Sequence, residues 1–283
     1  MRKKDNSYDI RGMNIPEETK LILEKIENAA KINMGSFKKS IPSVFLEGDK
    51  GTGSSGFAQV YERILASNHV YMVRGSQTFL ELVFPRNGTE KDYQRFFQSP
   101  KTVASIQNQF YGVFAISFEE WEGKDLLDSE QFKALLTFID NNKNNIFFVF
   151  QITKDFKTKD ELRITLNNHI NMVEAHLNYL DLDMSAEYIQ RYLEKDGIRF
   201  SVNGKKELKR FLNRKLNMES QSFAGYHSLQ QVARSIQFEL LSEDLMGDKT
   251  MQVSDYMLRN IESRVIAPET VEVKSRTMGF SMN

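Results

Sequence analysis

The run Glu47-Gly48-Asp49-Lys50-Gly51-Thr52-Gly53-Ser54-Ser55-Gly56 carries the residue types that hold phosphate groups. Glycines at 48, 51 and 53 free the backbone to curl, so that successive N–H groups converge on one anion. The apolar Val44-Phe45-Leu46 precedes the run, and a helical stretch from Phe57 to Leu65 follows it. Strand, glycine turn and helix in that order form a P-loop, where the helix N-terminus adds a favourable dipole. Against G-x-x-x-x-G-K-[ST], Gly48 and Gly53 match and Ser55 supplies the hydroxyl that would ligate magnesium. Ser54 occupies the lysine position, so the turn is kept while its main cation is lost.

The chemistry on offer is therefore the cradling of ATP or ADP with weak affinity, with Mg present only when nucleotide is. The candidate ligands are Gly48, Asp49, Lys50, Gly51, Thr52, Gly53, Ser54, Ser55 and Gly56, with Ser55 the candidate for the metal. Lys50 lies inside the turn, four residues before Ser54. A lysine this early serves in some P-loops next to the first glycine, where this chain has Asp49. A flexible linker between strand and helix is the plain alternative for the same glycines.

The bulk properties narrow the rest. A chain of 283 residues, 40% hydrophobic, has room for one large domain or two moderate ones around a real core. Basic and acidic residues balance at 38 each, which argues against a chain-wide nucleic-acid footprint but leaves local patches open. Cysteine is absent, which removes disulfides and thiolate metal sites. The histidines, at 69, 169, 176 and 227, have no ligand-pair spacing, so a zinc site is not expected. The polar start and the lack of any membrane-length apolar run predict a soluble cytoplasmic protein.

Periodicity places the turn within alternating elements. A helix is expected from Pro16 towards Phe37, with strands at His69–Val73, Phe79–Phe84, Tyr111–Ser117, Ile146–Phe150 and Val173–Leu182. Helices are expected at Lys91–Gln98, Lys101–Gln109, 128–142 and Lys159–His169. Such alternation predicts a parallel α/β sheet with right-handed crossovers. From 185 onward helices take over. One is capped by Ser185 and ended by Gly197, and others follow over 204–216, 225–242 and 252–264. The expected organisation is a loose segment at 1–15, an α/β core at 16–183, a helical part at 184–266 and an irregular tail at 267–283.

This order resembles the AAA+ ATPases over about residues 17 to 242. The resemblance implies a P-loop NTPase fold: a three-layer parallel-sheet core followed by a small helical lid. Val113 to Trp121 looks like the Walker B strand, and Asn144 to Phe150 looks like the sensor 1 strand. Asp140-Asn141-Asn142-Lys143-Asn144-Asn145-Ile146 is similar to a junction in the CbxX/CfxQ-type branch. Phe223 to Ser228 resembles the start of the sensor 2 helix. Residue by residue, the catalytic charges implied by the resemblance are depleted. Ser54 replaces the lysine. Ser117 and Phe118 fall where the magnesium aspartate and the water-orienting glutamate belong, with Glu119 and Glu120 displaced later. Gln151 or Thr153 stands at sensor 1, and Ser228 at the sensor 2 arginine with Arg234 two turns on. Arg163 is the candidate arginine finger.

Phosphoryl transfer rests on positioning and charge stabilisation, so these losses together predict weak or absent hydrolysis. The leading expectation is a degenerate subunit, a scaffold or regulator within an oligomer of AAA+ subunits that engages a protein partner. Two others stand beside it: an unorthodox but active ATPase that uses Lys50 or a neighbouring subunit for charge, and an inactive clamp-loader-like nucleic-acid-binding module. For the last, Lys205, Lys206, Lys209, Arg210 and Arg214 form a basic stripe on one predicted helix. The 21 Phe and 10 Tyr fall at core periods rather than in a base-stacking pattern, with Trp121 the one exception.

Overall fold

The computed structural model describes residues 14–32, 41–71, 78–86, 112–121, 124–218, 225–243, 252–253 and 258. It contains two compact units. One comprises Met1–Met184 with Ala224–His227, and the other Ser185–Phe223 with Ser228–Asn283.

The first unit is a three-layer sandwich. Its strands are β1 (Ser43–Glu47), β2 (Phe79–Val83), β3 (Gly112–Ser117), β4 (Ile146–Ile152) and β5 (Met172–His176). They lie in the order β2-β3-β4-β1-β5, and every pairing is parallel. Parallel strands need crossovers, and helices supply them. On one face sit α1 (Glu17–Lys31) and α2 (Ser54–Ser67). Leu23 and Ile26 of α1 and Phe57, Tyr61 and Ile64 of α2 meet Val44, Leu46, Val113, Ala115 and Val149 there. On the other face are α3 (Lys124–Leu127), α4 (Glu130–Asn142) and α5 (Lys159–Asn167). Phe132, Leu135, Leu162 and Leu166 cover Phe45, Phe114, Phe148 and Phe150 there. Covered on both faces, β4 is buried at every position, which is why its sequence is a continuous apolar run.

Local chemistry sets the boundaries. Ser129 caps α4 by accepting from the Phe132 N–H at 3.1 Å. The expected strand at His69–Val73 is a correction, since His69 to Tyr71 form a turn and 72–77 lie outside the described residues. His69 takes φ 55, its N–H donates to Ala66, and the Val70 N–H donates to Leu65. These bonds close α2 in a Schellman turn, usually built on glycine. The strand expected at Phe79–Phe84 is present as Phe79–Val83, the next sheet strand after α2 among the described residues. The helices expected at 91–98 and 101–109, the end of the first helix beyond Ile32, and the tail all lie outside the described residues.

The second unit takes most of α6 (Leu182–Glu194), then β6 (Arg199–Phe200), α7 (Val202–Met218), most of α8 (Tyr226–Glu243) and β7 (Gln252–Val253). Ser185 is not the cap of α6. Asp181 accepts the Met184 N–H at 2.7 Å, and Ser185 is buried inside the helix. Gly197, at φ 77, ends the turn after α6 as its type demands. The helix expected over 252–264 begins instead with β7, which pairs parallel with β6 and buries Val253 fully. Pairing with a distant segment overrode the local helical period there.

Candidate functional site

The glycine turn leaves β1 at the carboxyl edge of the sheet and enters α2. The Gly48 N–H donates to the Ile152 carbonyl at 2.9 Å, extending the β1–β4 ladder past the strand. Thr52 is 1% exposed, and both its N–H (3.0 Å) and its Oγ1 (2.8 Å) donate to the Asp49 carbonyl. A Cβ on Gly48 would lie 2.7 Å from that hydroxyl, so the inward threonine requires glycine at 48. Outside contacts pin the rest. The Asp49 carboxylate accepts the Lys154 N–H at 3.1 Å. Tyr179 Oη donates to the Lys50 carbonyl at 3.4 Å. Burial holds the Tyr179 phenol above its ordinary pKa, with Asp49 and Asp155 adding to the effect, so it stays a donor. The Tyr226 N–H donates to the Gly51 carbonyl at 3.1 Å. Gly51 itself has φ 92 and sits so close to Gly225 that a Cβ on Gly51 would lie 2.7 Å from the Gly225 Cα.

These bonds occupy the carbonyls of 49, 50 and 51 and leave N–H groups facing outward. Gly53 is the N-cap of α2, at φ 97, and offers no side-chain cap. Among the described residues nothing accepts from the N–H groups of Gly51, Gly53, Ser54, Ser55 or Gly56. The first turn of a helix always has such orphan donors, and here the preceding turn adds to them. The result is a set of donors without acceptors among the described residues, with a helix dipole behind it, suited to a phosphate group.

The sheet edge beside the turn differs from what hydrolysis needs. Along each strand, alternate residues face α2. On that face, in β3 and β4, Ser117 and Gln151 stand side by side in register. Phe118 points to the opposite face, fully buried against Phe84, Phe132 and Phe150. Glu119 and Glu120 follow in an exposed turn. The Glu119 N–H donates to Ser117 Oγ at 3.3 Å, and the Glu120 carboxylate accepts the Arg86 N–H at 3.2 Å. The Glu120 carboxylate is thus turned to Arg86.

The other candidates separate as follows. Lys50 is exposed, and its carbonyl is the group tied down. Thr153 lies just past β4, where its carbonyl takes the Phe156 N–H. Arg163, on α5, is ion-paired to Glu174 and to Asp160. Arg234 is exposed on α8 in the second unit. On α7, Lys205, Lys206, Lys209, Arg210 and Arg214 are all exposed, while Leu208, Phe211 and Leu212 are buried. Buried Glu207 pairs with Arg210 and Arg214 on that helix.

One residue escaped the sequence reading. Glu81 sits in the middle of β2, and Gln151 Nε2 donates to its Oε1 at 3.2 Å. The signal was there: Glu81 is the single charge in the otherwise apolar strand Phe79-Leu80-Glu81-Leu82-Val83. Nucleotide and Mg fit the geometry of the turn and of the exposed Ser55, which has no partner among the described residues. No group of three or more His, Asp or Glu able to hold a metal unaided occurs among the described residues. Any magnesium here would rely on nucleotide phosphates for most of its ligands. No described helix is long and apolar enough to cross a membrane.

No protein-family model matches the sequence, and no curated protein matches it. Solved structures do. The RuvB Holliday junction branch migration motor of Thermotoga maritima superposes with a TM-score of 0.57 at 13% identity, covering 88% of this chain and 70% of that one. A single-substitution mutant of the same protein gives 0.58 at 13% identity over the same shares. With the parallel β2-β3-β4-β1-β5 sheet and the glycine turn before α2, these likenesses give the chain the α/β P-loop fold of the AAA+ ATPases.

Proposed function

We propose that the chain is a nucleotide-binding, hydrolysis-deficient AAA+ subunit that serves as a scaffold or regulatory component of an oligomer. The carrying observation is the contrast within one site. The turn from Gly48 to Gly56 keeps its donors and its rigid supports, while Ser54, Ser117 and Phe118 stand where the transferred phosphoryl group would need a cation and two acids. The N–H groups of Gly51, Gly53, Ser54, Ser55 and Gly56 would hold phosphate oxygens, and the Ser55 hydroxyl would face the metal. Magnesium, when bound with nucleotide, supplies charge neutralisation of the phosphates. β3 itself carries no base on its α2 face to orient an attacking water. Affinity is modest, because backbone donors act without the lysine.

AAA+ proteins seat nucleotide between neighbouring subunits, so nucleotide would act here by fixing an assembly rather than by powering a cycle. The test is the mass of the purified protein in solution with and without ATP, alongside phosphate release. ATP-stabilised oligomers with release no faster than buffer are expected. Magnesium-dependent turnover, or a monomer indifferent to ATP, overturns the proposal.

The exposed face of α7 favours a second reading, a contact with nucleic acid. Exposed positions along the helix carry Lys205, Lys206, Lys209, Arg210 and Arg214, and Glu207 offsets only part of that charge. Salt-sensitive binding of single-stranded DNA or RNA, lost when these are neutralised, would support it. No binding at low salt removes it.

A further inference from the structure

We infer that Glu81 supplies, from β2, the carboxylate for the magnesium ion that accompanies the nucleotide; this rests on the nucleotide-binding reading above.

Three strand carboxylates lie among the described residues: Glu47, Glu81 and Glu174. Sheet register sorts them. Glu47 and Glu174 share the face of Phe45, away from α2. Glu81 pairs in register with Ala115, and Ala115 with Val149 and Val44, which is the face α2 covers. The first two are also engaged. The Glu47 carboxylate pairs with Lys159 at 3.0 Å, and Glu174 pairs with Arg163. Off the strands, Asp49 is fixed to the Lys154 N–H, and Glu62 on α2 accepts Thr78 Oγ1 at 2.7 Å and Tyr71 Oη at 2.9 Å.

Register sets the Glu81 backbone level with Ala115 and Val149. The bond from Gln151 on β4 carries the Glu81 carboxylate over the intervening β3 towards Ser117, which pairs with Gln151 and stands where the resemblance puts the magnesium aspartate. Glu81 is exposed, and among the described residues its carboxylate is met by the amide of Gln151 at one oxygen, which leaves the other to a ligand. Magnesium is held by one or two carboxylates plus phosphates, so a single acid in this position suffices. Ser117 on the neighbouring strand is neutral and brings no negative charge to the dication.

Glu81→Gln keeps the oxygen that accepts from Gln151 and removes only the charge. ATP affinity is measured by calorimetry on the full chain, in magnesium and in EDTA, for the natural sequence, for Glu81→Gln and for Gln151→Ala. The natural chain should bind about tenfold more tightly in magnesium, the scale of one charge-assisted contact. Glu81→Gln should lose that enhancement to within twofold while its EDTA affinity holds, and Gln151→Ala should keep it. An undiminished magnesium enhancement in Glu81→Gln overturns the assignment while leaving nucleotide binding intact. Failure of the natural chain to bind ATP under either condition overturns both.

Discussion

Replacing Gly51 with alanine tests whether the glycine turn is held rigid from outside or is a slack linker. The native φ of 92 lies where an L side chain is disfavoured by about 1–2 kcal/mol. The new Cβ would meet the Gly225 Cα at 2.7 Å, with two further Gly225 backbone atoms at 3.7 Å. Backbone cannot swing aside as a flexible side chain can, and overpacking of this kind costs about 1–3 kcal/mol. Together they predict a loss of about 3 kcal/mol. Gly225→Ala is the internal comparison. It has no positive φ, and its Cβ would lie 3.1 Å from the Gly51 Cα, so a loss of about 1 kcal/mol is expected. Both changes lie in the unit that holds Trp121, the chain's single tryptophan. Trp121 is 5% exposed and stacked on Phe84, with its indole N–H on the Phe84 carbonyl at 2.8 Å. Its fluorescence in a urea titration therefore reads this unit directly. A Gly51→Ala loss below about 1 kcal/mol, or one no larger than that of Gly225→Ala, would refute the claim that the turn is clamped.

Other expectations follow from the same geometry. Ser54→Lys should tighten ATP binding by about 1.5–3 kcal/mol, roughly ten- to a hundredfold by calorimetry, yet leave phosphate release at background because Phe118 still occupies the position of the acid. Tyr61 is fully buried and donates to the Pro42 carbonyl at 2.7 Å, and burial raises its pKa far above the ordinary value, as it does for Tyr71 with Glu62 adding. The folded state thus keeps protons that the unfolded chain releases near pH 10, so stability should fall as pH rises beyond it. Tyr61→Phe should lessen that slope by up to about 1.4 kcal/mol per pH unit in urea melts. If α7 contacts nucleic acid, neutralising Lys205, Lys209 and Arg210 together should lower the salt slope of single-strand binding by about two, with little change in melting temperature.

Much of the fold was legible because its signals were periodic. The buried run Ile146–Phe150 read as a two-sided parallel strand, and β4 is the centre of the sheet. The glycine turn read as a strand-to-helix cradle because glycine at 48 and 51 answers close approach and backbone shape, both local demands. The misreadings came from local and distant partners alike. His69–Tyr71 is apolar enough for a strand but is consumed by the end of α2. Gln252–Val253 reads as helix until β6 pairs with it. Asp181, not Ser185, caps α6, and two capping residue types so close in sequence compete on geometry alone. Glu81 was missed because a motif search looks along one segment, whereas the sheet brings in a residue from another strand.

The central claim is that this site grips a triphosphate without splitting it. The most direct measurement is to load the purified protein with ATP and magnesium, remove free nucleotide, hold the complex for hours and identify what remains bound. The account predicts recovery of intact ATP. Recovery of ADP and phosphate within minutes, or of no nucleotide at all, would contradict it.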